Sequence, residues 1–231
     1  MSSLAIETDE LEAPDEGLAA PESELESNEP EMESYLHLSQ LLLLLQCLEL
    51  HWKERKDFFA AGNMSIYFSE KQLSKERMRG PDFFVVLGTE RRPRKSWCVW
   101  KEDGKYPNFI LEVLSTRTSA LDRGLKKQVY QDVFRTPDYF WFDPESKEFA
   151  GFHAVDGQYQ PLPKDAHGRM HSAQLGLLLG VHEGMVRFFT EQGEILPSAP
   201  ELSERNARLA EQNEKLVAKL RELGIDPKSL P

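Results

Sequence analysis

The sequence predicts a mixed α/β protein in which a central sheet is flanked by helices and a separate helix follows at the C-terminal end. Short apolar runs of strand type recur between turn signals from residue 63 onwards. Segments with apolar residues every three or four positions lie at about 34–56 and 119–134. Leucines recur every seven residues between 202 and 223, which sets the last helix apart from the domain.

The net charge of −11 is concentrated at the N-terminal end of the 231-residue chain. Residues 1–33 hold 12 of the 39 Asp and Glu residues and no Lys or Arg, so the other 27 acids face 28 bases. Low hydrophobicity, prolines and one-sided charge predict a disordered acidic tail at 1–33. A solvated tail is the simpler interpretation, and a DNA mimic that guards a basic groove is the alternative. The near-neutral body remains compatible with nucleic-acid binding.

The chain shows no sign of a membrane protein or a secreted one. No apolar run approaches the roughly 20 residues that span a bilayer, and the N-terminus has no basic segment typical of a secretory signal. Cys47 and Cys98 lack metal or redox spacing. We therefore expect reduced thiols in a cytoplasmic protein, with no membrane contact and no small-molecule cofactor.

The first helix is predicted from Ser34 to about Lys56. Its apolar face is expected to comprise Tyr35, Leu38, Leu42, Leu45, Leu48 or Glu49, and Trp52. Glu33 or Glu49 is a candidate extra carboxylate for a metal site. An ordinary surface charge on an amphipathic helix is the simpler alternative.

Two apolar strands each carry one carboxylate. After a first strand predicted at 63–69, residues 81–86 contain Asp82 and residues 107–115 contain Glu112. A charged side chain in an apolar strand is costly unless it is paired or binds a metal. The two carboxylates therefore indicate a functional site.

The helix predicted at 119–134 follows the second of these strands. We expect its buried stripe to contain Leu125, Val129 and Val133, with Lys126 and Tyr130 one turn apart beside that stripe. Both side chains can then reach the end of the strand that carries Glu112. The alternative is an ordinary helix ion pair between Asp122 and Lys126.

A basic segment lies between the two carboxylate strands. Arg91, Arg92, Arg94 and Lys95 precede Trp97 and Trp100, so the bases are candidates to hold phosphates and the indoles to stack a nucleic-acid base. The alternative is a solvated hairpin whose aromatic side chains fill the edge of the sheet.

The remaining elements extend the domain to about residue 190. We predict a strand at 139–142, a hairpin formed by 149–155 and 159–162 around Asp156-Gly157, and a last strand or helix end at 185–189. His167 and His171 have helical spacing but lack the intervening Glu of a zinc-protease motif, so a ligand role is not favoured. Residues 191–200 are predicted to form a linker.

The C-terminal heptads predict a coiled-coil helix at 201–223, followed by a tail at 224–231. Leucine fills the d positions (Leu202, Leu209, Leu216 and Leu223), whereas Asn206, Asn213 and Leu220 occupy the a positions. Asparagine at a favours two parallel strands, so we expect a parallel homodimer. The alternative is a helix packed on its own domain.

The order of these motifs resembles a known family. Pro81-Asp82, then Glu112-Val113-Leu114-Ser115, then Lys126-x-x-x-Tyr130 and then the 138–144 segment together resemble the Uma2 family, which is common in cyanobacteria. That family is similar to a branch of the PD-(D/E)XK restriction-endonuclease-like superfamily. The resemblance covers about residues 34–190. It implies a restriction-endonuclease-like mixed sheet flanked by helices.

The resemblance also implies a chemistry and a set of roles. A Mg²⁺-dependent DNA endonuclease, with Mn²⁺ as substitute, would bind the metal through Asp82, Glu112 and the backbone carbonyl of Val113. The catalytic residues would be Asp82, Glu112, Lys126 and Tyr130. The superfamily usually has its lysine where this chain has Leu114, and in Uma2 proteins the lysine lies on the next helix, at Lys126. Lys127 is the rival, one residue out of register.

Two other functions remain open from the sequence. The first is a nuclease fold retained as a DNA- or protein-binding module that is catalytically weak or inactive, which Leu114 favours. The second is an adaptor in which the coiled coil is the working part and the carboxylates only pair with Lys126.

Overall fold

The computed structural model describes residues 34–68, 80–114, 124 and 126–223. Its helices are α1 (Tyr35–His51), α2 (Lys127–Asp132) and α3 (Ala199–Glu222), with a 3₁₀ turn at Val99–Lys101. Its strands are β1 (Phe58–Gly62), β2 (Ile66–Tyr67), β3 (Phe83–Leu87), β4 (Trp97–Cys98), β5 (Phe109–Val113), β6 (Asp138–Phe142), β7 (Phe149–Val155), β8 (Gln158–Pro161), β9 (Met170–Ser172), β10 (Leu177–His182) and β11 (Met185–Phe189). The predicted tails at 1–33 and 224–231, and Glu33 with them, lie outside the described residues.

The predicted mixed α/β fold is confirmed. A six-stranded sheet has the order β1-β3-β5-β6-β7-β8, in which β5 and β6 are parallel and the other neighbours antiparallel. A second sheet has the order β11-β10-β9, and β2 pairs with β4. Because β5 and β6 are parallel, their C-terminal ends lie at the same end of the six-stranded sheet. Glu112 lies at that end.

The six-stranded sheet has a hydrophobic core on each face because its side chains alternate. On one face, Phe109, Leu111 and Val113 of β5 pack with α1 and the β9–β11 sheet. On the other face, Ile110 packs with Tyr130 of α2 and the aromatic side chains near β4. Glu112 shares this second face with Ile110, so it lies on the side of the sheet that α2 covers.

The buried side of α1 differs from the predicted one. Its buried residues are Gln40, Leu41, Leu44, Cys47 and Leu48, whereas Tyr35 is 82% exposed and Leu42 is 46% exposed. The Gln40 side chain donates to the Val186 carbonyl at 2.9 Å and accepts from the Val186 N–H at 2.8 Å. Gln40 thus occupies the free edge of β11 as a further strand would, and this contact sets the rotation of α1.

Other boundaries also differ from the predictions. The sheet begins at Phe58 rather than at residue 63, and β9 and β10 were not predicted. His171 lies in β9 and His167 in a turn, so their helical spacing has no structural meaning. In α2 the buried residue is Tyr130, whereas Val133 is 44% exposed. No helix in the described part of the chain is long and apolar enough to cross a membrane.

Candidate active site

The pairing of β3 with β5 places the two predicted carboxylates side by side. Phe83 lies opposite Leu111 in an antiparallel register, so Asp82, one residue earlier, lies beside Glu112, one residue later. Gly80 permits the approach to this position, because a Cβ there would overlap the carbonyl oxygen of Met64. The strand register thus makes the two carboxylate strands neighbours.

Glu112 is fully buried and accepts hydrogen bonds from two side chains of the following helix. Lys126 Nζ lies 3.1 Å from Oε2, and the Tyr130 hydroxyl donates to Oε1 at 2.6 Å. Lys126 stands at the N-cap of α2 and Tyr130 four residues later, so one helical turn delivers both donors to one carboxylate. Asp122, the alternative partner of Lys126, lies outside the described residues.

Asp82 is held by groups from two other elements. His37 Nε2 lies 3.1 Å from Oδ1, and the Val113 N–H donates to Oδ2 at 2.7 Å. His37 is in the first turn of α1, where its own N–H donates to the hydroxyl of the N-cap Ser34. Gln40, one turn further along α1, fixes the rotation of the helix and thereby directs His37 to Asp82.

His37 is the site residue that the sequence did not reveal. It lies in a segment with apolar residues on every side of the helix, and no motif surrounds it. The only sequence signal is Ser34, a good N-cap, which places residue 37 in the first turn. The predicted alternative on this helix, Glu49, forms an ion pair with Arg91 instead.

The charges around the carboxylates bias their protonation. Burial alone would raise the pKa of Asp82, but the His37 hydrogen bond, the Lys126 charge and a hydrogen bond with Glu112 outweigh burial and lower that pKa. Burial, followed by the Glu112 carboxylate, raises the pKa of Tyr130 well above its usual value. At neutral pH the site therefore presents an ionised Asp82 and a phenol that stays protonated.

Comparison with known proteins identifies the family. A family model named Uma2 and described as "Putative restriction endonuclease" matches residues 9–186, well over half of the chain. The chain belongs to the Uma2 family. The Uma2 match begins within the predicted acidic tail, earlier than the resemblance at 34–190 suggested, and it ends before α3.

A solved structure is also similar to this Uma2 chain. It is titled as a putative nuclease belonging to DUF820 from Anabaena variabilis ATCC 29413, with 12% sequence identity and a TM-score of 0.44. The similarity covers 64% of this chain and 76% of that one. No curated protein matches the sequence.

The lysine of this Uma2 protein reaches the site from the helix rather than from the strand. Leu114, at the position where the superfamily usually has its lysine, is buried, and its N–H donates to the Phe142 carbonyl. The rival Lys127 places its Nζ 3.5 Å from the centroid of the Phe152 ring, away from the carboxylates. Geometry therefore brings Lys126, and not Lys127, to Glu112.

The predicted DNA-binding segment is engaged in contacts within the protein. Arg91 pairs with Glu49, and the guanidinium groups of Arg92 and Arg94 both contact Glu102. Arg94 is largely buried and also lies against the rings of Phe59 and Trp97. Lys95 is exposed and, with Arg92, borders a small cleft of about 60 Å³.

The same segment lies at the opposite end of the sheet from the carboxylates. The length of α1 gives the separation. His37 contacts Asp82 near one end of the helix, and Glu49 contacts Arg91 twelve residues later, about 18 Å away at 1.5 Å per residue. Trp97 is fully buried, stacks on Phe59 and donates to the Lys105 carbonyl, so its ring belongs to the hydrophobic core and is not open to a nucleic-acid base.

The carboxylate pair fits Mg²⁺ better than a metal that needs a protein cage. Among the described residues, no three His, Cys, Asp or Glu side chains form a cluster arranged to hold a metal. Mg²⁺ commonly binds through one or two carboxylates and keeps several waters. The carboxylate oxygens of Asp82 and Glu112 carry two lone pairs each, more than the contacts named above use, so acceptor capacity remains.

Proposed function

We propose that this Uma2 protein is a Mg²⁺-dependent endonuclease that hydrolyses phosphodiester bonds in DNA, with Mn²⁺ as a substitute metal. The observation that carries the proposal is the adjacent pair Asp82 and Glu112, with Lys126 3.1 Å from the Glu112 carboxylate. Two hard-oxygen ligands beside a cation are suited to a metal ion and a phosphodiester anion together. The family description, a restriction endonuclease, supports the same reaction class.

Each residue has a role in this reaction. Bound Mg²⁺ would supply positive charge at the scissile phosphate and lower the pKa of water. Asp82, Glu112 and the Val113 carbonyl would hold it, while His37 and the Val113 N–H keep the Asp82 carboxylate in orientation. Lys126 would hold the attacking water and offset negative charge in the transition state. The water oxygen forms a bond to phosphorus and loses a proton as the bond to the leaving sugar oxygen breaks and that oxygen gains one.

A cleft with two lysines near the carboxylates is a better candidate for DNA contacts than the basic segment at residues 91–95. Glu112 lies opposite Trp141 in the β5–β6 register, and the turn that follows β6 lies at the same end of the sheet. An open cleft of about 600 Å³ there is lined by Trp141, Lys147 and Lys164, among others. Lysines can contact phosphates next to the scissile bond, whereas Arg92 and Lys95 lie at the far end of the sheet.

A second candidate is a binding module with little or no catalysis. The observation that favours it is that Lys126, Tyr130, His37 and the Val113 N–H already give every oxygen of both carboxylates a partner within the protein. Such a network can support a nuclease fold that only holds DNA. Cleavage and binding must therefore be measured separately.

A plasmid assay separates the two candidates. Supercoiled DNA is incubated with the protein in Mg²⁺, in Mn²⁺ or in EDTA, alongside the isosteric variant Asp82→Asn, and DNA affinity is measured on the same samples. The endonuclease proposal expects metal-dependent nicking that Asp82→Asn abolishes while DNA affinity persists. Binding without nicking in either metal supports the binding module instead.

The DNA surface has its own matched comparison. The double variant Lys147→Gln/Lys164→Gln removes two charges near the carboxylates, and Arg92→Gln/Lys95→Gln removes two at the far end. We expect the first pair to weaken DNA binding more and to lower its salt dependence by about two counterions. A larger loss of DNA binding in Arg92→Gln/Lys95→Gln would show instead that the basic segment contacts DNA.

A further inference from the structure

Helix α3 projects from the domain with an uncovered apolar stripe. None of its residues from Ala199 to Glu222 is buried within the described structure. Leu209 is 47% exposed, Leu216 is 60% exposed, and Leu223, just after the helix, is 71% exposed. These leucines share one side of the helix because seven residues make almost two turns.

We propose that α3 binds α3 of a second copy of this chain as a parallel, in-register, two-stranded coiled coil. Leucines at d would form the apolar layers of the seam, alternating with Asn206, Asn213 and Leu220 at a. The two flanking e positions contain Ala210 and Val217, which widen the apolar stripe beside the leucines. The pairing does not rest on nuclease activity and can be true of a protein that cuts nothing.

The asparagines at the a positions favour a second copy of α3 in parallel orientation as the partner. In a parallel, in-register pair, Asn206 meets Asn206 of the second copy and Asn213 meets Asn213, so each amide can hydrogen-bond across the axis. In an antiparallel pair an a residue faces a d residue, and both asparagines would be buried against leucine. A buried amide without a hydrogen-bond partner is destabilising, which disfavours the antiparallel arrangement.

The charges at the g positions act in the same direction. Arg205 and Lys219 occupy g, where an antiparallel coil would bring g side chains of the two copies together and place like charges near one another. A parallel coil instead brings each g residue beside an e residue, and the Arg205 stem can cover Ala210 of the second copy. Polar pairing and charge therefore agree on a second, parallel copy as the partner.

The base of α3 is fixed to the domain, so pairing would also orient the domains. Arg187 of β11 forms two hydrogen bonds with the Glu201 carboxylate, at 2.9 and 2.7 Å, and a third with the Leu196 carbonyl. Ser198 caps the helix, and Glu201 completes a capping box with it. Parallel pairing would place both domains at the N-terminal end of the coil, related by its twofold axis.

Sedimentation of the full-length chain tests the pairing. We expect a monomer–dimer equilibrium for the wild type, a monomer for Leu216→Glu, and a wild-type dimer for Ala218→Glu, which puts the same charge on the outer side of the same helix. Circular dichroism at high concentration confirms that both variants stay folded. A monomeric wild type at all concentrations, or equal effects of the two variants, would overturn the proposal.

A cysteine variant tests direction and register. Asn206→Cys lies near one end of α3, so only a parallel in-register coil brings the two thiols within the roughly 7 Å between Cα atoms that a disulfide allows. In an antiparallel coil, residue 206 would face a d residue such as Leu216 or Leu223 of the other copy, about 15 Å or more from its equivalent. We expect a covalent dimer on mild oxidation through residue 206, because both native cysteines are buried. A dimer that fails to cross-link at residue 206 would overturn the parallel arrangement.

Discussion

Lys126 Nζ lies 3.1 Å from Glu112 Oε2, although the lysine belongs to a helix and the glutamate to the neighbouring strand β5. The strand position where the superfamily usually has a lysine is filled by the buried Leu114. The cation is therefore supplied to the same carboxylate from another element. This contact places the Lys126 charge where its proposed catalytic role requires it.

Replacing Lys126 should remove cleavage without unfolding the protein. Lys126→Gln keeps a polar side chain that can donate a hydrogen bond but removes the charge beside the scissile phosphate, so we expect a loss of at least about a hundredfold in the nicking rate. Lys127→Gln is the control, because Lys127 is the adjacent lysine and contacts Phe152 instead. Equal losses in the two variants would show that Lys126 has no special role.

His37 should act through Asp82. His37→Ala leaves Asp82 Oδ1 without its partner, and a buried acceptor that loses its hydrogen bond costs about 1–3 kcal/mol of unfolding free energy. We expect weaker Mn²⁺ binding as well, because the carboxylate can rotate, and His37→Asn should restore part of the metal affinity. His51→Ala, at the exposed other end of α1, is the control. Unchanged metal affinity in His37→Ala would limit His37 to a structural role.

Tyr130 should contribute more to stability than an ordinary buried tyrosine. Tyr130→Phe removes the 2.6 Å hydrogen bond to the fully buried Glu112 carboxylate, and bonds to charged groups contribute about 1.5–3 kcal/mol. Tyr159→Phe removes a bond to the neutral Thr136 carbonyl, for which about 0.5–1.5 kcal/mol is expected. Chemical denaturation of the two variants compares them directly. A smaller effect at Tyr130 would mean that Glu112 is not ionised in the folded protein.

The base of α3 should lose stability only in strong acid. The Arg187 hydrogen bonds lower the pKa of Glu201 from 4.5 to about 2 in the folded protein. A folded-state pKa below the unfolded one stabilises the protein above about pH 4.5, and this contribution is lost as the pH falls towards 2. The stability difference between wild type and Glu201→Gln should therefore be constant near neutral pH and shrink over that interval. A difference that does not change with pH would mean that the ion pair is absent.

Short apolar runs were enough to predict the two strands that carry the carboxylates. The strands near Asp82 and Glu112 could be recognised because each is a short apolar run with a single acidic residue. Strand β10 was missed, although Glu183 and Gly184, both with positive φ, form a hairpin turn between it and β11. Gly184 was a usable signal, because glycine adopts positive φ readily, whereas Glu183 was not, because glutamate is uncommon in that conformation.

The orientation of α1 could not be predicted from its own sequence. Apolar residues surround this helix, so several faces look equally suited to packing. The choice is made by Gln40, whose amide pairs with the edge of a strand 146 residues away. The position of His37 depends on that rotation. The local sequence pattern therefore could not predict that α1 places His37 at the site, because the rotation is set by a long-range contact.

Calorimetric titration of Mn²⁺ into wild type, Asp82→Asn and Glu112→Gln, with plasmid nicking measured on the same samples, tests the central claim most directly. We expect that wild type binds the metal and nicks DNA, and that each variant loses both while remaining folded. A wild-type protein that binds no divalent metal, or variants that bind and cut as well as wild type, would contradict it.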